Sequence, residues 1–176
     1  QIVQIELTET AGLSSHGLRE SFCKMSYSTA TIGTIIDDAN RRYYLPAVQR
    51  PLVWRQEQVL ALFDSLLKGY PISAFMFWEL DDVTKHEVRA YKFIENYHAG
   101  DLMNERAQVA GRNVVLVLDG QQRLTSLLIG LRGTYSVKEK FARRGNPDAW
   151  TKQNLYLDLL KDPAQQPDDD EIEFGI

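Results

Sequence analysis

One cysteine, Cys23, in 176 residues excludes an intramolecular disulfide framework and fits a reducing, cytoplasmic compartment. Histidine is equally sparse. His16, His86 and His98 are scattered, so they supply no metal-ligand spacing with Cys23, and no metal site is expected. No apolar run approaches the roughly 20 residues of a membrane span, and the N-terminal segment lacks the apolar core of a secretory signal. Positive charge is in deficit: 20 Lys and Arg against 24 Asp and Glu leave a formal charge of −4. That balance excludes nucleic-acid binding through a general basic field, so any such contact needs a local patch. The common phosphate loops, G-x-x-x-x-G-K-[ST] and G-x-G-x-x-G, are absent. Ser126 has no nucleophile-elbow glycines, which leaves a hydrolase triad unsupported.

What is present is ordinary for a water-exposed globular domain: 44% hydrophobic and 25% charged residues, in a length that can bury one full core. Thr31 is placed to cap a short helix over 32–40, with Ile32, Ile35 and Ile36 as its apolar stripe. Tyr43, Tyr44 and Leu45 read as extended, ended by Pro46, and residues 48–54 as a loop. A helix over 56–68 carries Val59, Leu60, Phe63, Leu66 and Leu67, and it stops at Gly69 with Pro71 beyond. Strands are expected at 73–80, 88–94, 114–119, 134–140 and 155–159, with 95–112 a surface excursion and 168–171 a solvated acidic loop. With no internal repeat, one α/β (α+β) domain is the economical expectation.

The most informative block is Asp119-Gly120-Gln121-Gln122-Arg123-Leu124-Thr125-Ser126. It follows the apolar run 114–118 and opens a helix whose Leu124, Leu127, Leu128 and Leu131 fall at helical spacing and which Gly133 ends. A strand turning through Gly120 into a helix aims backbone N–H groups and a positive dipole end outward, which suits an anion. Two amides and a guanidinium in the first turn add donors for phosphate oxygens. A structural alternative stands beside this: Asp119 as N-cap, with Gln122 completing an Asp version of the capping box. Arg123 resists it, because a cation in the first turn opposes the helix dipole, and broken local rules cluster at functional sites.

Three segments in matching order carry a resemblance. The Asp119–Ser126 block, the Leu45-Pro46-Ala47-Val48-Gln49-Arg50 segment with Trp54, and the Gly69-Tyr70-Pro71-Ile72 turn resemble the N-terminal domain of GmrSD-type (type IV) restriction endonucleases. That family has a ParB/sulfiredoxin-like fold, a small mixed sheet flanked by helices, and was long labelled a domain of unknown function. The resemblance runs over 25–176 and leaves 1–24 as an N-terminal extension or appended arm. Because the chain stops as an alternating pattern resumes at 171–176, the domain is expected to be cut short at its C-terminal end.

The resemblance implies a bacterial, cytoplasmic phage-defence protein whose N-terminal domain binds or hydrolyses an NTP with Mg²⁺. Cutting of DNA then belongs to a C-terminal or partner HNH-type nuclease domain, for which this chain has no motif. Carried over by position, Arg123 holds a phosphate, and Gly120, Gln121 and Gln122 support it. Asp119 assists Mg²⁺ or positions water, with its capping role as the competing reading. Gln49 and Arg50 approach the same cleft, Arg50 either on a phosphate or in a salt bridge. Trp54 and Tyr70 stack on a base or belong to the core. The alternatives are a non-catalytic DNA-binding module for modified or single-stranded DNA, or a scaffold that docks a nuclease. The DNA-binding reading would use Arg41, Arg42, Arg50, Arg55, Arg143 and Arg144, against the acids Asp37 and Asp38.

Overall fold

The computed structural model describes residues 2–13, 19–48, 52–81, 84–98, 104–109, 113–138, 141, 146 and 149–157. In chain order the elements are β1 (Ile2–Leu13), β2 (Arg19–Ala30), α1 (Ile32–Asp38), β3 (Tyr43–Pro46), α2 (Gln56–Leu67) and β4 (Phe75–Glu79). They continue with α3 (Thr84–Glu87), β5 (Ala90–Tyr91), β6 (Asn96–His98), β7 (Val115–Asp119), α4 (Gln121–Arg132), β8 (Thr134–Lys138) and β9 (Trp150–Gln153). Six strands form one mixed sheet in the order β2-β1-β4-β7-β3-β5, and β6-β8-β9 form a smaller one. The fold is α+β, with mixed sheets flanked by helices, as the sequence led us to expect. Among the described residues no helix is long and apolar enough to cross a membrane.

Alternation along the central strands builds a core on each side of the large sheet, since successive residues face opposite ways. Tyr43, Leu45, Phe75, Phe77, Val115 and Val117 join the helix side, where Ile35, Ile36, Leu62, Leu124, Leu127 and Leu128 meet them. Tyr44, Leu80, Val114 and Leu116 face the other way, into a second cluster with Ala90 and Ala107. Burial on both faces explains why the β7 segment is a continuous apolar run. The helices deviate from their expected stripes. Leu67 and Leu131 are exposed, while α2 buries Leu62 and α4 buries Thr125, Ser126 and Ile129. Helix α4 is covered on several sides, by the sheet, α1, α2 and β8, so more than one face is enclosed.

The caps follow the local chemistry. Thr31 Oγ1 accepts from the Thr34 N–H at 3.2 Å, as expected for the start of α1. Helix α2 ends in a Schellman motif: Gly69 N–H donates to Leu66 O (3.1 Å), Tyr70 N–H donates to Ser65 O (2.8 Å), and Gly69 has φ +74.

Several expectations need correction. Residues 88–94 hold only the short β5, because Asn40 rather than a strand neighbour engages Phe93: its Oδ1 accepts from Phe93 N–H (2.7 Å) and its Nδ2 donates to Phe93 O (3.0 Å). The excursion at 95–112 includes β6, paired in parallel with β8, and a buried Ala107. Residues 155–157 lie in no strand; the partner of β8 comes earlier in the chain, as β9, and 158–159 fall outside the described residues. The acidic loop at 168–171 and the pattern at 171–176 also lie outside them. At the N-terminal end β1 and β2 form a hairpin, and β1 pairs in parallel with β4 from Gln4 to Thr8. Strand β2 runs through the expected boundary at residue 25. The alternation of Val3, Ile5 and Leu7 with Gln4, Glu6 and Thr8 was the available signal for β1.

Candidate functional site

Strand directions bring three connections to one sheet edge. Strands β3 and β7 are parallel (Tyr43↔Val115, Tyr44↔Leu116), so both carboxyl ends point the same way. Strand β4 is antiparallel to β7, with Met76 opposite Asp119, so its start lies there too. The segment after Pro46, the segment before Phe75 and the turn after Asp119 therefore meet outside the carboxyl ends of parallel strands. Open α/β sheets bind ligands in that position.

Gly120 makes the turn. It is the N-cap of α4 at φ +88 and ψ 9, a left-handed conformation that glycine adopts without penalty. A Cβ at this position would sit 2.5 Å from Phe75 Cδ1, so the ring's approach also demands glycine. Among the described residues no side chain caps the helix. The expected capping box is thus absent: Asp119 is still part of β7, and the cap position falls one residue later. Gln122 does not reach back either. Its Oε1 accepts from the Val53 N–H at 3.0 Å and holds the 52–55 loop against the helix start. Gln121 folds onto the end of the strand, its Nε2 donating to Val117 O at 2.9 Å.

Arg123 is enclosed rather than solvent-facing, with its side chain 16% exposed. Nη1 donates to Ile72 O at 2.6 Å, Nη2 pairs with Asp119 Oδ2 at 3.2 Å, and the guanidinium carbon lies 4.8 Å from the Phe75 ring centroid. The Asp119 side chain is 71% exposed, so this carboxylate is open to solvent while it neutralises Arg123. Partners on three sides offset the unfavourable dipole of a first-turn cation. The motif therefore ties the 52–55 loop, the 70–74 loop and the strand end to one helix start. Val53, Ile72 and Phe75 are the partners that sequence reasoning left out, because two of them contribute only backbone atoms.

Gln49 and Arg50 lie outside the described residues, as do Arg143 and Arg144. Trp54 is partly buried against the clusters of α2 and the main core, which matches its core reading, whereas Tyr70 is exposed. Of the other arginines proposed for DNA, Arg42 pairs with Glu79 at 3.4 Å and lies over the Tyr43 ring, and Arg55 is the N-cap of α2. Arg41 is exposed. Among the described residues no three His, Cys, Asp or Glu side chains group as metal ligands.

No curated protein matches the sequence. The family described as GmrSD restriction endonuclease, N-terminal domain, matches residues 32–174, a span that contains the Gly120 turn, both tied loops and the helices packed around them. From that span the chain belongs to the N-terminal domain family of the GmrSD restriction endonucleases.

Proposed function

We propose that this domain binds a nucleoside triphosphate with Mg²⁺ at the Asp119–Arg123 turn and acts as the sensing and regulatory part of a phage-defence restriction protein. The observation that carries the proposal is the start of α4: a helix twelve residues long, entered through Gly120 at the carboxyl edge of the sheet, with no side-chain cap among the described residues. Its first-turn N–H groups and dipole favour a phosphate there. Arg123 is held by Ile72 O through one nitrogen, which leaves the Asp119-paired nitrogen to turn toward a phosphate oxygen. Asp119, exposed at the rim, is the carboxylate suited to Mg²⁺, which would supply charge neutralisation for the phosphates. Gln49 and Arg50, three and four positions after the end of β3, would complete the cleft. If hydrolysis follows binding, the protein contributes positioning and charge more than covalent chemistry. DNA cleavage would fall to a C-terminal or partner HNH-type nuclease domain.

Calorimetric titration of GTP, UTP, ATP and CTP with Mg²⁺ into wild type, Asp119→Asn and Arg123→Lys tests this. Wild type should bind at least one nucleotide. Arg123→Lys should weaken it about tenfold or more, because a lysine keeps the charge and loses the bidentate fork. No binding by wild type, or equal binding by Arg123→Lys, would overturn the proposal.

A further inference from the structure

We infer that a groove along the β5 edge of the large sheet is a contact site for the phosphodiester backbone of DNA, held by Arg89 and Arg106 with His86 and Gln108. The groove encloses about 510 Å³. Two chain segments form its walls, and their backbones are fixed side by side: Ala107 N–H donates to Ala90 O at 2.9 Å, Lys92 N–H donates to Glu105 O at 2.8 Å, and Tyr91 bridges Arg106. Val88 and Val109 line it as well and pack on the second core cluster, so the cations stand on a fixed apolar base.

Charge decides the ligand class. Among the described residues no carboxylate lines the groove, and the nearby Glu105 is taken by Lys92 at 3.1 Å. Arg89 and Arg106 are exposed and make no hydrogen bond or ion pair among the described residues. Arg42, Arg123 and Arg132 are each paired with an acid. In a chain of net charge −4, two guanidinium groups on facing walls, with no acid partner among the described residues, form a local patch of opposite sign. The cations come from two separate segments, an arrangement that fits successive phosphates of a strand. The family's description as a restriction endonuclease domain favours DNA as their source.

The position adds a consequence. Ala90 pairs with Pro46, so residues 88 and 89 run past the carboxyl end of β3, at the edge that also holds the Gly120 turn. Strand β5 is two strands from β7, a separation of roughly 10 Å at ordinary strand spacing. DNA held by Arg89 and Arg106 would therefore reach the same end of the sheet as the proposed nucleotide cleft. The DNA site stands on its own groove and does not require that the nucleotide bind.

The test is fluorescence anisotropy with a labelled duplex and its single strand over a range of salt. It uses the full chain as wild type, Arg89→Gln/Arg106→Gln, and Lys152→Gln as a surface-charge control. The double variant should lose about tenfold or more in affinity and about two units of salt slope, one for each phosphate contact. The control should lose neither, and nucleotide titration of the double variant should match wild type. The inference is overturned if wild type binds no DNA at low salt, or if the double variant keeps both affinity and slope. It is also overturned if the double variant loses nucleotide binding instead, since the groove would then hold a free nucleotide. Both arginines are exposed, so the variant should melt as wild type does; Arg89→Lys/Arg106→Lys should restore the slope and control for the fold.

Discussion

The ring of Phe75 fills the space where a side chain on residue 120 would begin, its Cδ1 only 2.5 Å from a Cβ built on Gly120. The same ring lies under the Arg123 guanidinium. One buried aromatic residue therefore sets both the turn and the cation that follows it.

Gly120→Ala should destabilise the domain strongly. Overpacking against a fixed ring costs about 1–3 kcal/mol, and the left-handed backbone adds roughly 1 kcal/mol or more for a residue with a Cβ. Urea denaturation should show the midpoint fall. Adding Phe75→Leu should recover part of the packing loss and none of the backbone loss, which a double-mutant cycle would display as coupling.

Arg123→Ala and Asp119→Asn should separate, although the two residues are paired. Removing Arg123 strands the Ile72 carbonyl and empties the space over Phe75, at a cost of about 2–4 kcal/mol for a charged hydrogen bond together with a ring contact. The exposed Asp119 contributes less than about 1 kcal/mol through its half of the pair. Thermal melts of the two variants would decide; equal losses would contradict the enclosed geometry of Arg123.

Gln122→Ala should act on the 52–55 loop and spare the core. The Val53 amide loses its acceptor, so its hydrogen exchange should speed up, while global stability falls by only about 0.5–1.5 kcal/mol. Unchanged exchange at Val53 would mean that the loop is held by other contacts.

Alkaline stability should depend on the Tyr97–Tyr135 pair of the small sheet, whose ring centroids are 4.8 Å apart. Burial pushes the Tyr135 hydroxyl up from 10.0 to about 12, with the charges of Tyr97 and Glu57 acting in the same direction, and burial raises Tyr97 too. A folded-state value above the unfolded one favours the protonated, folded form. The contribution is complete below pH 10 and is lost as pH rises toward 12. Melting temperature should fall across that interval in wild type and fall less in Tyr135→Phe. Parallel slopes in the two proteins would remove the pair from the account.

By itself the sequence determined the elements with strong local signals. Thr31 as a cap, the stop at Gly69, the apolar run of β7 before Asp119 and the helix from Gln121 to Arg132 follow from short-range chemistry and periodicity. It also marked the residues of the Asp119–Arg123 turn, because a cation in a first helical turn breaks a local rule. Tertiary structure alone decided what those residues touch. The cap moved from Asp119 to Gly120 because Phe75, distant in sequence, packs on the turn. Gln122 and Arg123 were drawn to backbone atoms of Val53 and Ile72, which no side-chain pattern encodes. The groove of Arg89 and Arg106 was invisible for the same reason: its walls come together only when residues 104–109 pair beside β5. Periodicity reports which face of an element is buried, whereas the partner on that face is set by long-range pairing and packing.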